Sequence, residues 1–138
     1  MRVDSCVICD HGRPLDVLCE LDHVWVTAGR FAPLPGYVCV VAKRHVREPY
    51  DLPPDEGAAF WRSALLAAQA VASLLSPRKI NYEIHGNTLD HLHMHLFPRF
   101  DGDPFEGRPI DGRSLTFERT DEELAALATV ISNTAASA

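Results

Sequence analysis

The sequence predicts an α+β fold, a mostly antiparallel sheet with one long helix and a C-terminal helix laid on it. Three observations carry this. His91 to Phe97 (HLHMHLF) alternates with period two, as a strand with one buried face does. Phe60, Ala64, Ala67, Val71 and Leu74 recur at spacings of three and four, which makes one apolar helical stripe. The remaining strand-like runs lie on both sides of that stripe, and a second helical stretch comes last. The order is therefore strands, helix, strands, helix, which is not the alternation of a parallel α/β sheet.

The elements follow in order. Residues 6–14 (CVICDHGRP) are turn-like. Val17 to Cys19 and Val24 to Thr27 are β-branched or apolar runs around a turn at Asp22-His23, where His23 reads as a turn residue. Phe31 to Gly36 (FAPLPG) reads as a loop, because two prolines and a glycine break a ladder. Tyr37 to Ala42 is a continuous apolar run that fits a strand covered on both faces. The long helix runs from about Pro54 to Ser76, with proline and acidic residues at its start and Pro77 as its stop. Ile80 to Ile84 is the next strand, and Gly86-Asn87-Thr88 makes a turn into the histidine strand, which Pro98 should end. Residues 101–113 are rich in Gly, Asp and Pro and predict a long mobile loop. Asp121 to Ile131 is the second helix, capped by Thr120, with residues 133–138 frayed.

At 138 residues, 46% hydrophobic and 23% charged, the chain fits one globular domain over residues 1–138. No apolar run approaches ~18 residues, so no membrane span is expected. The start lacks the apolar stretch of a secretory signal, so the expected location is the cytoplasm. Thirteen Lys and Arg against nineteen Asp and Glu give a net charge of −6, which argues against a nucleic-acid partner. A small phosphorylated ligand needs only a local positive pocket. Cys19 and Cys39 lie inside apolar runs and read as small buried hydrophobes. Cys6 and Cys9 form a C-x-x-C pair, which reads as metal or redox.

Strand alternation puts His91, His93 and His95 on one face and Leu92, Met94 and Leu96 on the other. Three readings compete: a solvated polar face, a three-histidine catalytic metal site, or a nucleophilic middle imidazole supported by its neighbours. The third is chemically coherent. A neutral imidazole is a good nucleophile near neutral pH, and its other nitrogen can be fixed by a carbonyl. Phosphorus is a suitable electrophile.

HLHMHLFPR resembles the H-φ-H-φ-H-φ-φ signature of the histidine-triad (HIT) superfamily of nucleotidyl hydrolases and transferases. LPGYVCVVAKRHV, PYDLPPDEGAAF and GNTLDHLHMHLFPRF resemble that family's upstream segments. The resemblance implies a HIT-like fold, commonly a homodimer, acting on a dinucleoside polyphosphate or a nucleoside phosphoramidate. It implies that His93 attacks the α-phosphorus, that His95 hydrogen-bonds phosphate oxygens, and that His91 supports the constellation. Gly86, Asn87 and Thr88 stand where the family contacts phosphates, and Arg99 resembles a residue of the dinucleoside polyphosphate branch. The alternatives within the resemblance are a nucleotide-binding or signalling protein with weak catalysis, and a nucleotidyl transferase or phosphorylase. Some bacterial members bind structural zinc through a set that falls here on Cys6, Cys9, His45 and His91; His11 is an alternative ligand, and His85 adjoins the turn. Two positions depart from the family. Gly29 falls where an Asp or Asn often holds the ribose, which leaves that task to Arg30 or backbone, and Tyr37 stands where many members have His.

Overall fold

The structure, a computed structural model, describes residues 6–138. Its elements are α1 (Val7–His11), β1 (Val17–Leu21), β2 (Val24–Thr27), β3 (Phe31–Ala32), β4 (Val38–Ala42), a 3₁₀ turn (Pro49–Asp51), α2 (Pro54–Leu75), β5 (Lys79–Glu83), β6 (His93–Arg99), β7 (Phe117–Glu118) and α3 (Asp121–Ala136). Five strands form an antiparallel sheet in the order β1-β2-β4-β6-β5.

Alternation along the strands builds two cores. Val24, Val26, Val38, Val40, Met94 and Leu96 face the helices, where Phe60, Ala64, Ala67, Ala68 and Val71 of α2 and Leu127 and Ile131 of α3 meet them. The alanines let α2 approach the sheet closely. On the opposite face Cys39 and Val41 pack against Cys6 and Ile8, so every residue of β4 is buried. Thr120 caps α3 as expected, its Oγ1 accepting the Glu123 N–H at 3.1 Å.

Several expectations need correction. By length and composition α2 is apolar enough to cross a membrane, because its alanines raise apolarity without any long run of large residues. Here it is a core helix, with a stripe buried on the sheet. Leu74 is 41% exposed and lies off that stripe; Leu75 packs instead. Residues 7–11 are a short helix, not only a turn. The histidine strand begins at His93, not His91, and runs through Pro98 to Arg99. Pro98 is tolerated because pairing with β4 stops at Leu96, so the missing N–H costs no bond there. Residues 133–136 continue α3 instead of fraying.

Residues 31–32 are not loop but β3, which pairs with β7 in a second, two-stranded sheet. Arg119, 1% exposed, stitches this sheet to the first. Its guanidinium donates to the Gly29 carbonyl through Nε (3.0 Å) and Nη2, and to the Tyr37 carbonyl through Nη1 (2.6 Å). The stretch expected to be a mobile loop has a core of its own, in which Phe105 and Ile110 pack with Leu34 and Phe97. Arg99 anchors it, donating to Asp103, to Asn81 and to the carbonyls of Phe105 and Arg108. Asp103 also accepts the N–H groups of Phe100 and Phe105.

Two predictions follow from this frame. Gly36 has φ 80°, and a Cβ there would collide with Leu75 Cδ1 and lie 3.1 Å from Pro98 Cγ. Left-handed strain and overpacking together should make Gly36→Ala destabilising by about 2–5 kcal/mol in urea unfolding. The hydrogen bond from Arg99, with those from the Phe100 and Phe105 amides, holds the Asp103 carboxyl at about 2, below its ordinary 3.8. A depressed carboxyl stabilises the folded state above its unfolded value. The stability gap between the parent and Asp103→Asn should therefore be constant above about pH 4 and close as pH falls toward 2. A gap that does not change with pH in acid unfolding would contradict this.

Candidate active site and metal centre

The three sequence-predicted histidines take three different partners. His93 and His95 project from the β6 face opposite the helices, across from Val41 and Cys39 of β4. His93 Nδ1 lies 2.7 Å from the carbonyl oxygen of His91. A carbonyl can only accept, so Nδ1 carries the hydrogen and the neutral ring presents its Nε2 lone pair. His93 lines a cleft of about 520 Å³ with Ile8, Thr27, Cys39, Val41 and Leu89. Burial pushes Cys39 up to about 12, so the cleft wall is a neutral thiol.

His95 Nδ1 lies 2.7 Å from the Tyr37 hydroxyl. Burial, and then its neighbour His93, lower His95 to about 4, so this ring is neutral at physiological pH. Tyr37 is a site residue that sequence reading noted only as a departure; its contact depends on the β4–β6 register, which no local pattern reveals.

His91 precedes the strand and meets a different set of partners. It is 1% exposed, and its Nε2–H donates to the Ala42 carbonyl at 2.7 Å, leaving Nδ1 as the free lone pair. That nitrogen lies 3.5 Å from Cys6 Sγ, 3.8 Å from Cys9 Sγ and 3.1 Å from His45 Nδ1. Cys9 Sγ is 3.4 Å from His45 Nδ1. All four donor atoms lie within 4.8 Å of one another. Tetrahedral zinc with ordinary Zn–S and Zn–N bonds would require edges of ~3.3–3.8 Å, so the donor set and its spacing fit such an ion. Burial, followed by neighbouring Cys6, raises the Cys9 thiol, whereas a bound cation would favour the thiolate. His11 stands outside this cluster.

The Gly86-Asn87-Thr88 turn is bracketed by His85, whose ring is 5.8 Å from that of His95, and by Leu89 in the cleft wall. Gly86 takes φ 80°, and the Asn87 and Thr88 side chains are exposed. His85 pairs with Glu83 at 2.8 Å. Arg99 is not among the residues around the histidines: its guanidinium is engaged by the 103–108 loop it anchors. Arg30, expected as a ribose contact, is paired with Asp121 at 2.6 Å, and the Gly29 carbonyl is taken by Arg119. Asp16 was missed in the sequence. Its Oδ2 lies 3.4 Å from where a Cβ on Gly29 would be, so a carboxylate from the start of β1 borders the space a side chain at 29 would enter.

Solved structures share this fold. A histidine triad protein from Bradyrhizobium japonicum matches with TM-score 0.77 and 21% identity over 86% of this chain and 89% of its own. A zinc-bound histidine triad family protein from Mycobacterium smegmatis matches with TM-score 0.70 and 21% identity over 99% of this chain and 100% of its own. Plasmodium falciparum diadenosine triphosphate hydrolase matches with TM-score 0.63 and 18% identity over 86% of this chain and 74% of its own. No curated protein matches. The family model described as HIT domain spans residues 12–102, which hold the β4 strand, the long helix and all three histidines; the chain is a member of the HIT domain family.

Proposed function

We propose that this HIT-family chain is a nucleotidyl hydrolase that cleaves at the α-phosphate of a dinucleoside polyphosphate or a nucleoside phosphoramidate. The observation that carries this reading is the His93 Nδ1–H bond to the His91 carbonyl, which leaves a bare Nε2 at a cleft. Nε2 attacks the α-phosphorus, a P–N bond forms, and the bond to the leaving group breaks. Water then attacks the same phosphorus, the P–N bond breaks, and a nucleoside monophosphate leaves. His95, neutral at working pH, hydrogen-bonds the phosphate oxygens without charge. The Gly86-Asn87-Thr88 turn receives phosphates, Asp16 stands beside Gly29 to meet the ribose, and Arg99 serves the loop and not the polyphosphate. The similar fold of the Plasmodium diadenosine triphosphate hydrolase supports this substrate class.

The metal in this reading is structural zinc on Cys6, Cys9, His45 and His91, supported by the zinc-bound Mycobacterium smegmatis relative. When bound, zinc supplies a cross-link between the N-terminal segment and the sheet, and holds the His91 side chain while its carbonyl orients His93. A reducing cytoplasm suits a metal-bound thiol pair better than a disulfide. Two copies pair in this proposal; among the described residues β5 is the last strand of the sheet, and its Tyr82 is 45% exposed.

His93→Ala should lower turnover of a dinucleoside polyphosphate by about 10³-fold or more while leaving thermal unfolding nearly unchanged. Acid-quench trapping with substrate labelled on the α-phosphate should place label on His93; turnover without any trapped adduct would favour direct attack by water.

Protein purified without chelator should contain one zinc per chain, and Cys6→Ser should lose it. Stripping the metal should lower the melting temperature by roughly 5–10 °C, equivalent to about 2 kcal/mol for a domain of this size. Elemental analysis that finds no zinc would overturn the assignment.

A further inference from the structure

Tyr37 is held on several sides. It follows Gly36, whose left-handed backbone turns the chain into β4. Its carbonyl accepts from the buried guanidinium of Arg119. Its ring stacks on Phe97 (centroids 4.7 Å apart, planes 14° apart) and on His95 (5.8 Å, 24°), and His95 stacks in turn on Phe97 (5.5 Å, 13°). Three rings, one from the residue before β4 and two from β6, thus lie nearly parallel, with the phenol hydroxyl 2.7 Å from His95 Nδ1.

We propose that Tyr37 is a positioning residue that donates its O–H to His95 Nδ1 and so fixes His95 as the Nε2–H tautomer. This deepens the proposed function and rests on it for the meaning of that N–H, which is the donor offered to phosphate oxygens. The bond could in principle run the other way, with Nδ1–H donating to the phenol oxygen. Two facts decide the direction. A phenol is a more acidic donor than a neutral imidazole N–H, and an imidazole lone pair is a better acceptor than an oxygen conjugated to a ring. Burial first, and then the neighbouring Cys39, raise the Tyr37 hydroxyl well above the ordinary phenol range, so it keeps its hydrogen to donate. The contrast with His93 follows from partner chemistry. A carbonyl fixes hydrogen on Nδ1 of His93 and leaves Nε2 bare for attack. A hydroxyl on Nδ1 of His95 leaves Nε2 protonated for donation. Two imidazoles 5.0 Å apart are thereby set to opposite tautomers.

The test has two arms. Imidazole ¹⁵N–¹H correlation spectra of the zinc-loaded parent, without substrate, should show His95 protonated on Nε2 and bare on Nδ1, with His93 the reverse. In Tyr37→Phe, which keeps the ring stack, His95 should lose its single tautomer while the His93 signals stay in place. The second arm is kinetic: Tyr37→Phe should lower kcat about 10–100-fold with KM unchanged, as loss of an orienting partner does. His95 protonated on Nδ1 in the parent would overturn the proposal, whatever the fold of the variant. A Tyr37→Phe protein with parental kcat would overturn the positioning role. A parent that turns over no nucleotide would instead sink the proposed function, and the first arm would still decide the Tyr37 bond.

Discussion

The antiparallel ladder between β4 and β6 is the constraint on which the site depends. It pairs Val41 with His93, Val40 with Met94, Cys39 with His95 and Val38 with Leu96. Met94 and Leu96, no more than 1% exposed, are committed to the helix-side core. A slip of one residue would push both histidines into that core and both apolar side chains into the cleft. The histidine face is therefore enforced by burial on the other side of the sheet. β4 can serve as the central partner because the N-terminal segment covers its second face.

Within that frame, three histidines in one short segment meet three different sets of groups. β6 begins only at His93, and the His91 ring, one step ahead of the strand, meets two thiols and a third imidazole. His93 meets a carbonyl, and His95 meets a hydroxyl. His91 takes part twice, its ring in the metal cluster and its carbonyl under His93. The candidate metal cluster and the proposed nucleophile therefore meet at one residue, His91.

Much of this was legible because its physics is local. Period-two alternation identified β6, three-and-four spacing identified α2, and Thr120 with its following acids marked the start of α3. The convergence of Cys6, Cys9, His45 and His91 came from resemblance, since residues far apart in the chain give no local sign of meeting. What escaped has non-local causes. β3 and β7 are two residues each and exist through pairing across most of the chain, secured by Arg119, whose burial nothing in its neighbourhood announces. Residues 101–113 look mobile by composition, but Arg99 and Asp103 give that stretch a fixed shape and Phe105 gives it a core. Pro98 looked like a terminator because its tolerance depends on where another strand stops pairing. Tyr37 beside His95 and Asp16 beside Gly29 became visible only once the strands were in register.

The clamp at Arg119 also bears on where this domain can be cut. The segment that matches the family, residues 12–102, holds the whole histidine row, yet it omits Cys6 and Cys9 at one end and β7, Arg119 and α3 at the other. A fragment trimmed to that segment would keep every histidine of the triad but lose two of the four candidate metal donors. It would also leave the Gly29 and Tyr37 carbonyls without their buried donor and bare the side of β1 and α2 that α3 covers. The recognisable signature and the stretch that makes these contacts are thus different parts of the chain.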